Sequence, residues 1–161
     1  MRRDGLLHLC TATIKPEWID YNGHMNVAYY MLVFDAGGDA LLDYLGLDEA
    51  YRERSRTSTY VLEAHINYER ELLVDALVDI YLQLVDHDAK RVHYVLTMQH
   101  REEDFRAATC EIMLMQIDMR TTRGTAMPEF ALDRLAALAA EQSDLAPPAN
   151  LGSVIGIRRK S

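Results

Sequence analysis

Asp20, Asn22 and His24 alternate within five residues of the stretch Trp18-Ile19-Asp20-Tyr21-Asn22-Gly23-His24-Met25-Asn26-Val27-Ala28-Tyr29-Tyr30. Directly behind them, an apolar run over residues 27–34 reads as a buried helix. A loop that feeds a helix start leaves main-chain N–H groups without intrahelical acceptors, at the positive end of the helix dipole. A negative charge can develop there, and Gly23, Met25, Asn26 and Val27 are the candidate donors to it. A carboxylate, an amide and an imidazole beside such a place supply a base or nucleophile, an orienting donor and a proton carrier. The same residues also fit a plain turn, with Asp20 and Asn22 as turn formers, Asn26 as N-cap and His24 as a satisfied loop histidine. The residue types leave both readings open.

The elements that must hold this loop are legible from periodicity. Residues 6–14 read as a first strand closed by Lys15-Pro16. The helix is predicted over 26–45, ending at Gly46, which can take the left-handed position after a helix. Its first half is apolar nearly all round, which predicts an enclosed helix. Gly37-Gly38 in mid-helix weakens it by roughly 1 kcal/mol per residue against Ala; close approach of another backbone would account for both. Asp35, Asp39 and Asp43 share one helix face, Asp43 as a solvated residue and Asp35 and Asp39 facing a site or a subunit partner.

After a polar, helical connection over 47–55, the period changes to two. Residues 58–69 alternate as a half-buried strand, and three more follow over 76–86, 91–101 and 106–118, joined by short polar turns. Residues 128–143 form an amphipathic helix with Phe130, Leu132, Leu135 and Leu138 on its buried side. One strand, one long helix and four strands give an α+β layout, an antiparallel sheet of about five strands around a helix. We expect one domain over 1–143, then a linker containing Pro147-Pro148 and a basic tail over 144–161.

The pattern Asp-x-x-Gly-His-Met-Asn-x-x-x-Tyr, here Asp20 to Tyr30, resembles the loop-and-helix signature of hotdog-fold thioesterases of the 4-hydroxybenzoyl-CoA thioesterase type. Asp20-x-Asn22-x-His24 is also similar to the active-site loop of plant acyl-ACP thioesterases, in which a glutamate follows inside Tyr-x-Arg-Glu; this chain has Tyr68-Glu69-Arg70-Glu71. Asp118, Arg120 and Pro128 match a further family feature, a strand ending in Asp followed by Arg and Pro. The resemblance covers about residues 6–119. It implies the hotdog fold and hydrolysis of an acyl-CoA thioester, with Asp20 as nucleophile or general base, Asn22 and His24 positioning water or polarising the carbonyl, and Glu71 as a second base.

It also implies a homodimer or homotetramer with sites at the subunit interface, and no cofactor beyond coenzyme A as part of substrate and product. Within the family, the stretch from Trp18 to Phe34, residues 68–73 and the basic end are most similar to a subgroup linked to carnitine degradation that cleaves betainyl-CoA. A trimethylammonium group needs aromatic faces and a diffuse negative field. Trp18, Tyr29, Tyr30 and Tyr60 are the candidate cage, with Asp35 or Asp39 as counter-charge. A generic short or medium acyl group, an acyl-ACP carrier, and a non-catalytic acyl-CoA-binding module are the alternatives; a hotdog hydratase would need a histidine-led motif that the sequence lacks.

The 161 residues carry a net charge of −8 and 49% apolar residues, as expected of a globular domain and unfavourable for nucleic acid. A polyanion such as coenzyme A then needs a local basic patch. Arg158, Arg159 and Lys160 could meet its phosphates if the tail folds back; a solvated end is the plainer reading. The start mimics a signal peptide only until His8 interrupts the apolar run, and no stretch approaches the ~20 apolar residues of a membrane span, so we expect a cytoplasmic protein with no membrane partner. The six histidines show no zinc-ligand spacing, and no metal is assigned. Cys10 and Cys110 read as buried, inert thiols. Glu63, His65 and Asn67 share a strand face suited to subunit contact or solvated pairing.

Overall fold

The computed structural model describes residues 2–157. In chain order these form β1 (Arg2–Arg3), β2 (Leu6–Thr13), a 3-10 turn (Pro16–Trp18), α1 (Val27–Leu45), α2 (Glu49–Ser55), β3 (Thr57–Tyr68), β4 (Leu77–His87), β5 (Arg91–His100), β6 (Arg106–Asp118), β7 (Arg123–Gly124) and α3 (Glu129–Glu141). All strand pairings are antiparallel, and the order across the sheet is β1-β2-β4-β5-β6-β3, with β7 beside β6. Five long strands match the expected number; β1 and β7 are two-residue additions. The sheet curls around α1, and Val33, Phe34, Leu41 and Leu45 of the helix share one buried cluster with Ile80, Leu82, Leu96 and Met98 of β4 and β5. No helix among the described residues is long and apolar enough to cross a membrane.

Local chemistry fixes both ends of α1. The Asn26 side chain accepts from the Ala28 N–H at 3.0 Å, and Gly46 closes the helix at φ +77° with its N–H on the carbonyls of Leu42 and Asp43. The glycine pair divides in function. A Cβ at Gly37 would lie 2.8 Å from Ile80 Cγ2 and 3.3 Å from Leu96 Cδ1, so α1 touches the sheet there; at Gly38 the nearest neighbour is the Tyr94 hydroxyl at 3.7 Å. Gly37→Ala should therefore cost about 1–2 kcal/mol, overpacking outweighing the gain in helix propensity. Gly38→Ala should be neutral or stabilise by up to ~1 kcal/mol. Urea unfolding of the two variants checks the contrast, and equal effects would refute it.

Four expectations are modified. α1 is enclosed on its sheet side only; Val27, Met31 and Leu32 are exposed, Met31 at the crevice between α1 and β3. β3 is the edge strand, and a bulge between Val61 and Glu63 interrupts its alternation, leaving Tyr60, Val61 and Leu62 48%, 56% and 51% exposed. In α3 the buried residues are Ala131, Leu135 and Leu138, with Leu132 partly buried. Phe130 instead turns outward, its ring edge-on to Tyr51 of α2 at 5.6 Å. Cys110 is fully buried but Cys10 only half-buried. Burial raises both thiols, Cys110 to about 12, so neither is a ready nucleophile at neutral pH.

Candidate active site

The loop before α1 is closed by its own backbone. Ile19 and Met25 form an isolated antiparallel bridge, in which Asp20 N–H donates to the His24 carbonyl (3.0 Å) and Asn26 N–H to that of Trp18 (2.9 Å). Inside it, Gly23 sits at φ +84°, a left-handed conformation open to glycine, and donates its N–H to the Asp20 carbonyl (3.0 Å). Asn22 N–H donates to Asp20 Oδ1 at 2.8 Å, which fixes one carboxylate oxygen and leaves Oδ2 without a hydrogen-bond partner among the described residues. One further bond ties this loop to a distant segment: Met25 N–H donates to the Leu72 carbonyl at 2.8 Å, with both residues buried. That bond carries Glu71 to Asp20 across 51 positions of sequence.

Asp20, His24 and Glu71 consequently line one cavity of about 430 Å³, with Met25, Val27 and Tyr30 on the helix side and Tyr68, Glu69 and Arg70 opposite. Tyr30 and Tyr68 meet edge to face at 5.1 Å, and the Tyr68 hydroxyl donates to the Val27 carbonyl at 3.4 Å. Burial pushes both phenols up, with a backbone hydrogen bond from Leu72 partly offsetting it at Tyr30. Arg106 Nε donates to both oxygens of Glu69 at 2.9 Å. Arg70 is drawn aside, its guanidinium 3.0 Å from Glu103 and 3.8 Å from the Phe105 ring centre. The wall thus holds three carboxylates, while its own arginine is engaged elsewhere.

Three of the four candidate donors are spent on backbone acceptors: Gly23 on Asp20, Met25 on Leu72 and Asn26 on Trp18. Ala28 is spent on the Asn26 cap. The Val27 N–H, at the first helical position and on the cavity wall, has no acceptor among the described residues. An oxyanion at that point would meet an open donor and the positive end of a 19-residue helix.

Other residues singled out in the sequence lie elsewhere. Trp18 and Tyr29 stack on each other (5.5 Å, 18°) with Lys15 Nζ 5.2 Å over the indole, away from the cavity lining. Asn22 contributes its backbone to Asp20 while its side chain is outside the lining. Tyr60 lies on the other half of β3. Asp35 and Asp39 border a separate crevice between α1 and β3, floored by Tyr94. Burial and the neighbouring Asp35 and Asp43 raise the Asp39 carboxyl. Asp118 binds Arg120 at 2.9 Å, which with backbone N–H groups holds its carboxyl down to about 2, in a turn remote from the cavity. Arg158, Arg159 and Lys160 lie outside the described residues. Sequence reasoning missed Tyr68, Glu69 and Arg70, although all three stand in the motif from which Glu71 was taken.

The family model of the thioesterase-like superfamily matches residues 14–135. The betainyl-CoA thioesterase of Pseudomonas aeruginosa is 36% identical over 144 residues, 89% of this chain and 91% of that protein. A Rhizobium meliloti L-carnitine dehydrogenase/betainyl-CoA thioesterase is 30% identical over 96% of this chain, which spans 31% of that longer protein. The Staphylococcus aureus protein SAV2348, solved in complex with CoA, superposes with a TM-score of 0.88 at 31% identity, covering 95% of this chain and 97% of that one.

Proposed function

The chain belongs to the thioesterase-like superfamily, and we propose that it hydrolyses betainyl-CoA to glycine betaine and CoA. The observation that carries this is the convergence of Asp20, His24 and Glu71 with two tyrosines on one cavity at an open helix start. Asp20 takes a proton from water, and the water oxygen bonds to the thioester carbonyl carbon. The resulting oxyanion rests on the Val27 N–H. Its collapse breaks the C–S bond, and the thiolate of CoA receives a proton relayed through His24. Glu71, on the same cavity, is the second carboxylate able to hold the water.

The ammonium nitrogen of a betainyl group is two bonds, about 2.5 Å, from the carbonyl carbon. Its counter-charge must therefore sit in the same cavity, where Asp20, Glu69 and Glu71 are, rather than at Asp35 or Asp39 in the neighbouring crevice. Tyr30 and Tyr68 replace Trp18, Tyr29 and Tyr60 as the aromatic walls, since the Trp18 face is already occupied by Lys15. Aromatic faces attract such a cation by roughly 0.5–2 kcal/mol each. The neutral isostere 3,3-dimethylbutanoyl-CoA should accordingly show kcat/KM lower by roughly tenfold or more. Equal or better turnover of the neutral ester would remove betainyl-CoA while leaving thioester hydrolysis intact.

The working unit is a homodimer. Twelve residues of β3 form an unpaired edge, and the exposed apolar flank of α1 runs beside it. Pairing β3 with its copy about a two-fold axis satisfies the edge, covers the flank and brings the seam to the cavity rim, where Tyr68 and Val27 lie. The CoA phosphates are assigned to Arg158, Arg159 and Lys160. These residues follow a segment whose Asn150 is bonded to Glu69 on the cavity wall. CoA thioesters are made and used inside cells, which makes the cytoplasm the compartment of this reading.

A further inference from the structure

Beyond α3, the chain is fastened across the outer face of the sheet. Gln83 Nε2 of β4 donates to the Ala146 carbonyl (2.8 Å), and Gly152 N–H donates to Glu111 Oε2 of β6 (2.7 Å). The other oxygen of Glu111 meets His93 Nε2 of β5 at 2.8 Å. Ser153 Oγ pairs with the Asn67 amide of β3 at 3.1 Å. In the middle of this strap, Asn150 adopts φ +62°, a left-handed conformation that asparagine tolerates better than most residues. Its Nδ2 donates to Glu69 Oε1 at 2.8 Å and to Thr109 Oγ1 at 3.1 Å, which uses both amide protons.

Glu69 connects the strap to the cavity. Its carboxylate is gripped by Arg106 of β6 and by Asn150, and it lines the cavity wall. At the same point the backbone leaves the β3 ladder: the N–H groups of Glu69 and Arg70 both converge on the Ala107 carbonyl, at 2.9 and 3.1 Å. This bend leads the chain to Glu71, two residues on, which lines the same cavity as Asp20. Asn150 closes the one side of Glu69 that the sheet itself does not hold.

We propose that Asn150 is a positioning residue, and that through Glu69 the C-terminal strap sets the placement of Glu71 in the cavity. The inference rests on reading that cavity as the thioester-hydrolysing site. A carboxylate displaced by about 1 Å at such a site lowers turnover by up to ~10²-fold. Asn150→Gly keeps the left-handed backbone and removes the amide. It should lower kcat roughly tenfold with KM little changed, and should speed amide hydrogen exchange over residues 68–71 in the full-length protein. Asn150→Asp sets two carboxylates face to face and should be at least as damaging. A fall in kcat at unchanged KM together with faster exchange over residues 68–71 is a pairing that a merely structural role for residue 150 would not produce.

Unchanged exchange at 68–71 in Asn150→Gly overturns the proposal whatever the turnover. Faster exchange with unchanged kcat in an active enzyme, or a rise in KM alone, overturns it as well. If the wild-type protein cleaves no thioester yet exchange at 68–71 responds to Asn150→Gly, the functional reading fails and the coupling of strap to cavity wall stands.

Discussion

Asp20→Asn is expected to lower kcat for thioester hydrolysis by at least ~10²-fold, the size of a general-base contribution. The fold should survive the change. The amide oxygen of an asparagine can still accept the Asn22 N–H that Asp20 Oδ1 now accepts at 2.8 Å, and the loop bonds around it are main-chain. Thermal unfolding should move by no more than a surface substitution does, within about 0.5 kcal/mol. Release of CoA followed with a thiol reagent measures the effect. Full turnover in this variant would remove Asp20 from the mechanism. Glu71→Gln belongs in the same experiment, because both carboxylates line the cavity. If Glu71→Gln abolishes turnover while Asp20→Asn retains it, the base is Glu71, the arrangement that the acyl-ACP thioesterase resemblance implies.

Leu62→Lys should convert the proposed dimer to monomers. Leu62 lies near the middle of β3 and is half exposed, so a two-fold axis through the strand centre sets it close to its own copy. Like charges juxtaposed across an interface cost several kcal/mol, which raises the dissociation constant by about 10³-fold or more. Light scattering at micromolar concentration should give twice the chain mass for the wild type and one chain mass for the variant. Turnover should fall with the mass, since the seam borders the cavity. A wild-type protein that scatters as a single chain would refute the assembly, and an active monomeric Leu62→Lys would separate assembly from catalysis.

The sequence was legible where the information is local. Gly23, Asn26 and Gly46 announce a turn, a cap and a helix stop through their own backbone preferences, so the loop and α1 lie where the residues say. Strand positions followed from alternation in the same way, except at register shifts such as the Val61–Glu63 bulge, which depend on strand pairing. What sequence spacing could not reveal is which face a partner covers. Trp18 and Tyr29 flank the Asp20 loop in sequence yet stack on one another, whereas Tyr68 reaches the cavity from the end of β3. Phe130 has the helical spacing of a core residue, yet it is exposed and meets Tyr51 of α2 edge to face. The stretch 144–153 has a linker's composition, and its attachment depends on Glu69, Thr109 and Glu111, which are far away in sequence.

The hydrogen bond from Met25 to the Leu72 carbonyl has a consequence for how the protein acquires its activity. It joins residues that enclose all of α1, α2 and β3, and β3 is placed in turn by pairing with β6, later still in the chain. Closing so large a loop is entropically unfavourable until the sheet rewards it, and topologies rich in such contacts fold slowly. No fragment ending before β6 can hold Asp20 against Glu71, so an emerging or partly folded chain carries the loop without the site. Recovered hydrolysis during refolding should therefore trail the return of helical signal and keep pace with the completion of the sheet.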